Sequence, residues 1–86
     1  MPVWKVEVKG FGSIIEDESA SYASKVEKLA ALLRGSAWYA ADGGEDGELE
    51  RLIEDLEMCD EDSGDYSLGL IYDLADEQRV WLDPMS

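Results

Sequence analysis

The opening residues alternate. "VWKVEVK" places Trp4, Val6 and Val8 on one side and Lys5, Glu7 and Lys9 on the other, the period-two pattern of a half-buried strand. "GFG" at 10–12 reads as a turn or bulge, and "SIIE" after it as a short second strand completing a hairpin. The period then changes. Across "EDESASYASKVEKLAALLRG", Tyr22, Val26, Leu29 and Leu33 recur at i, i+4, i+7 and i+11, one face of a helix. Acids Glu16–Glu18 stand at its start, Ser19 or Ser21 can cap it, and Arg34 with Gly35 supplies a stop.

"SAWYAAD" fits either an extended connection or, as the favoured reading, a further helical turn capped by Ser36; the glycines of "DGGEDG" mark a loop. "ELERLIEDLEMCDE" carries the clearest helical stripe, with Leu49, Leu52, Ile53, Leu56 and Cys59 on one side. "DEDSGDYS" reads as a break. In "LGLIYDLADEQRVWLDP", Leu68, Leu70, Tyr72 and Leu74 alternate on one arm, Asp76 and Glu77 fall in a turn, Val80 to Leu82 form a second arm, and Pro84 ends it. The order ββ-αα-ββ predicts an α+β fold: a small antiparallel sheet with two helices packed on one face. No repeat or linker divides the 86 residues, so 1–86 is expected to be a single domain.

Charge changes this picture, because it is unevenly placed. A near-neutral half, 1–41, holds five acids and five bases; an acidic half, 42–86, holds sixteen acids and two bases and carries the whole net charge of −14. From Asp42 to Asp65 there are twelve carboxylates and one base, Arg51. Such a surface disfavours anionic lipid and nucleic acid as direct partners and suits basic proteins or cations. Cys59 is the only cysteine, so no intrachain disulfide can form and a reducing compartment is the expectation. The alternating N-terminus is not a secretory h-region, and no apolar run reaches the roughly 18 residues of a membrane span. These features together predict a protein of the cytoplasm, a monomer or weak homodimer.

The chemistry excluded is broad. Without histidine there is no His-based triad, acid–base pair or His-containing zinc site, and one cysteine makes no thiolate cage. Cys59, on the apolar stripe, reads as a small buried hydrophobe. No glycine pattern cradles a nucleotide. "DGGEDGELERLI" sets Asp42, Asp46 and Gly47 at positions 1, 5 and 6 of a calcium loop, but has Gly44 at position 3 and Ile53 at position 12, where a bidentate Glu belongs. Asp60, Asp62 and Asp65 likewise lack a terminal Glu. The expectation is no enzyme, no cofactor and no dedicated metal site.

What remains is a surface. Continued as one helix, the second helical segment sets Glu50, Glu54, Glu57 and Glu61 in a row beside its apolar stripe, with Glu48 and Asp55 on the other flank. Glu45 and Asp46 extend the row before the helix, and Asp60, Asp62 and Asp65 extend it after. Acids near a helix C-terminus oppose the macrodipole, and a conflict repeated in one direction marks a functional surface. Replacing the four Glu with Gln is therefore expected to abolish partner binding and leave the fold intact or more stable. Trp38 or Tyr66 is expected to anchor the partner beside the row.

In size, acidity and the stretch 42–65 the chain resembles the small acidic DNA-mimic inhibitors that phages direct at host nucleic-acid machinery, anti-CRISPR proteins in particular. The resemblance is to a class and rests on no shared motif. It implies a non-enzymatic inhibitor in a bacterial host cell, blocking DNA or guide binding by a Cas effector or similar nuclease. Carboxylates would stand in for phosphates. An immunity-type inhibitor of a basic toxin nuclease uses the same physics. A small adaptor domain, acidic only for solubility, is the alternative without a decoy role.

Overall fold

The computed structural model describes residues 6–82. Its elements are β1 (Val6–Val8), α1 (Phe11–Ile15), α2 (Tyr22–Arg34), α3 (Ala37–Ala41), a 3-10 turn at Gly44–Asp46, α4 (Glu48–Met58), α5 (Glu61–Glu77) and β2 (Val80–Leu82). The α+β arrangement expected above, an antiparallel sheet in ββ-αα-ββ order carrying two helices, is not what forms. Among the described residues there are five α-helices and one pair of short strands, and that pair is parallel, with Val6 opposite Val80 and Val8 opposite Leu82. Trp4 and Pro84 lie outside the described residues.

Two local readings fail for identifiable reasons. "GFGSIIE" is helical because Gly10, at φ 93°, turns the chain so that Phe11 enters the core, where its ring meets Tyr72 edge-on at 5.3 Å. The larger error covers 61–77, which form one helix rather than a break and half a hairpin. Asp60 starts it, its carboxylate accepting from the Ser63 backbone N–H at 2.9 Å and the Ser63 hydroxyl at 2.8 Å. Leu68, Leu70, Tyr72 and Leu74 alternate, but Ser67, Ile71, Leu74 and Ala75 also repeat at helical spacing, and these are the side chains the helix buries. Gly64 is tolerated inside it because the Tyr22 ring packs where a Cβ would stand.

Five α-helices separate β1 from β2, so no tight turn constrains the pair to be antiparallel and the long connection permits parallel pairing. Helix α2 begins on the Ser21 cap and stops at Gly35; α3 begins on Ser36, as its serine suggested. The core lies between α2, α4 and α5: Leu29, Leu33, Leu49, Ile53, Leu56 and Ile71 are fully or almost fully buried, and Trp38, Val80 and Leu82 close one end. Trp81 is half-buried on β2.

Candidate partner-binding surface

The expected row of four glutamates does not lie on one helix. Helix α4 ends at Met58; Cys59 is extended at ψ 152°, and Asp60 caps the next helix. Cys59 is therefore half-buried at the joint instead of on the α4 stripe, its Sγ 3.1 Å from the Ser67 hydroxyl. Glu61 and Asp62 stand in the first turn of α5, where the macrodipole favours anions. The hydrogen bonds from Ser63 hold the Asp60 carboxyl below its usual range. So Asp60 and Glu61, read as misplaced at a helix end, are well placed at a helix start.

Glu57, which does sit in the last turn of α4, is neutralised. Arg34, the last residue of α2, reaches across and grips two carboxylates. Its Nε and Nη2 donate to Glu50 at 2.8 and 2.9 Å, and its Nη2 and Nη1 donate to Glu57 at 2.8 and 3.2 Å. Tyr39 of α3 adds its hydroxyl to Glu50 at 3.0 Å. The Glu50 side chain is only 12 % exposed. The Arg34 hydrogen bonds hold its carboxyl below the ordinary range, against a desolvation penalty that pushes the other way; the Tyr39 bond assists. Burial, and then the bond to Glu50, push the Tyr39 hydroxyl up. Glu50 and Glu57 thus hold α2, α3 and α4 together, and of the α4 members of the row Glu54 remains exposed without an ion partner among the described residues.

The other expected contacts divide in the same way. Trp38 is not a surface anchor: it is 1 % exposed, and its Nε1 donates to Gln78 Oε1 at 2.8 Å. Gln78 in turn donates to Asp42 Oδ1 at 2.8 Å, and Asp42 Oδ2 accepts from the Leu49 backbone N–H at 2.7 Å. Asp42 therefore caps α4 from a distance, while Gly47, the residue at the cap position, contributes only its small size. Glu45 and Asp46 are exposed on the 3-10 turn, and Asp62 and Asp65 on α5. Tyr66, the other expected anchor, is 73 % exposed, and Met58 is 86 % exposed. No three acidic or cysteine side chains among the described residues converge as metal ligands.

Sequence reading named Asp62, Asp65 and Tyr66 but missed that they belong to one outer face of α5 continuing through Asp73, Asp76 and Glu77. Opposite its buried side, Asp62, Asp65, Tyr66, Asp73, Asp76 and Glu77 are all exposed, and residues 61–77 contain no base. No ion pair to any of these acids occurs among the described residues. Asp76 and Glu77 lie in the last turn, against the macrodipole, so the argument first made for α4 applies here. The signal was present in the helical repeat of Leu68, Ile71 and Ala75, hidden by the alternation of Leu68, Leu70 and Tyr72.

Comparisons with protein-family models, with curated proteins and with solved structures each return no match. No helix among the described residues is long and apolar enough to cross a membrane.

Proposed function

We propose that this chain is a non-enzymatic inhibitor that binds a basic nucleic-acid-binding protein, its carboxylates occupying a groove shaped for phosphates. Its most concrete form is an anti-CRISPR protein that blocks DNA or guide binding by a Cas effector. The observation carrying this reading is the outer face of α5, a base-free acidic helix face with an exposed tyrosine in it. From Asp62 to Glu77 the helix rises about 22 Å, a length that spans roughly six or seven phosphates of a nucleic-acid strand at about 3.4 Å each. Its five outward carboxylates fall in two groups, Asp62 with Asp65 and Asp73 with Asp76 and Glu77, separated by about 12 Å. The stripe is held on a helix packed against α4 and β2, so little ordering entropy opposes binding. Exposed Glu54 and Glu61 widen the field that steers a basic partner in.

The test is capture of host proteins from bacterial lysate on the immobilised chain at low and at high salt. A basic nucleic-acid-binding protein should be retained at low salt, released at high salt, and displaced by added DNA. A variant carrying Asp62→Asn, Asp73→Asn, Asp76→Asn and Glu77→Gln should retain nothing. If no salt-sensitive basic protein is held, or the variant holds it equally well, the reading is wrong.

A further inference from the structure

A cavity of about 200 Å³ opens between α2, α4 and α5 on the near side of the acidic stripe. Its floor is apolar, made by Leu29, Leu56 and Leu68, while Glu61 and Asp65, one helical turn apart on α5, stand at its edge. Lys25 also lines it, its ammonium donating to the Ile15 carbonyl oxygen at 3.0 Å and keeping its charge, so the two carboxylates leave the site with a net charge of −1. Neither Glu61 nor Asp65 has an ion partner among the described residues. Tyr22 forms a wall, and its hydroxyl is buried with no hydrogen-bond partner.

We propose that this cavity seats an arginine side chain of the basic partner, a point that rests on the function proposed above and names its anchor. The shape and the charges agree with this occupant. At about 30 Å³ per water the space holds six or seven water-sized groups, and an arginine side chain has seven heavy atoms. Its alkyl stem matches the leucine floor, and its guanidinium presents enough N–H donors to serve two carboxylates at once. An ammonium is more strongly hydrated and binds as a point charge, so lysine fits the same edge less well. Burial first, and then the neighbouring carboxylates Asp60, Asp65 and Glu61, push the Tyr22 hydroxyl above its usual range.

The experiment is an amide-resolved NMR titration of the full chain with N-acetyl-arginine methylamide, the lysine analogue, and the neutral citrulline analogue. The arginine probe should give saturable shifts confined to Ile15, Val26, Leu56, Asp65 and Leu68, with lysine about threefold weaker or worse and citrulline not saturating. Leu68→Phe should fill the space and remove saturation; Glu61→Gln with Asp65→Asn should do the same while leaving the cavity open, which covers the case where Leu68→Phe does not fold. Diffuse, non-saturating shifts over the acidic face, or citrulline binding as well as arginine, overturn the proposal. Partner capture that survives Leu68→Phe also overturns it but leaves the α5 reading standing. Saturable arginine binding with no basic partner captured counts against both.

Discussion

Arg34 gives the sharpest test of how the acidic half is held. Replacing it with Met removes two forked interactions and leaves Glu50, 12 % exposed, with only the Tyr39 hydroxyl. Breaking a fully buried pair costs about 3–5 kcal/mol, whereas an exposed pair is worth about 0–1 kcal/mol. Arg34 itself is 35 % exposed, so solvent screens the pair and the expected loss lies between these limits, about 2 kcal/mol at neutral pH. For a chain of this size that is roughly 8–16 °C in Tm, or about 2 M in the urea midpoint. The pH dependence fixes the cause. In the native chain the Glu50 carboxyl lies below its ordinary 4.5, so its contribution is present above that pH and is lost as pH falls through the lowered folded value. Without Arg34, desolvation dominates and raises the folded value above the ordinary one. The variant therefore loses stability as pH rises. The gap between Arg34→Met and native should be largest near pH 7 and should narrow as pH falls through the lowered native value, toward an acid pH at which Glu50 is protonated in both. Urea unfolding followed by tryptophan fluorescence at the two pH values measures it. Arg34→Met with Glu50→Met should recover most of the loss, because an apolar pair replaces a stranded charge. An equal gap at both pH values, or a double variant no better than the single, would refute the clamp.

The same geometry reverses an expectation for the glutamate row: Glu50→Gln and Glu57→Gln should destabilise, while Glu54→Gln should not, as thermal melts of the three single variants will show. At Gly64, an added Cβ overlaps the Tyr22 hydroxyl, so Gly64→Ala should cost about 2 kcal/mol. Tyr22→Phe removes a hydroxyl without a partner and should be neutral or stabilising in urea titrations; it should also recover part of the Gly64→Ala loss. Gly47→Ala sets a Cβ 2.6 Å from Asp42 Oδ2 and should loosen the α4 cap, read as faster amide exchange at Leu49 and a lower melting temperature. Arg79 sits at φ 58° just beyond α5, a conformation glycine adopts freely, so Arg79→Gly should stabilise by roughly 0.5–1 kcal/mol in the same assay.

Elements whose evidence is local were legible. Tyr22, Val26, Leu29 and Leu33 mark α2, Leu49, Ile53 and Leu56 mark α4, and Ser21, Ser36 and Gly35 mark helix ends, because a helix shows its buried face at i+3 and i+4 and its caps within one turn. The acidic character of 42–86 was equally plain, since charge is a property of composition. Tertiary structure decided the rest. Residues 68–74 satisfy a strand period and a helix period at once, and packing of Ile71, Leu74 and Ala75 against the core selects the helix. A separation of 16 positions from Arg34 to Glu50 conceals their pairing from any local pattern, as does one of 40 from Trp38 to Gln78. A carboxylate's charge can be read from the chain. Whether that charge faces a partner or a guanidinium of the same fold depends on distances that only the folded chain sets.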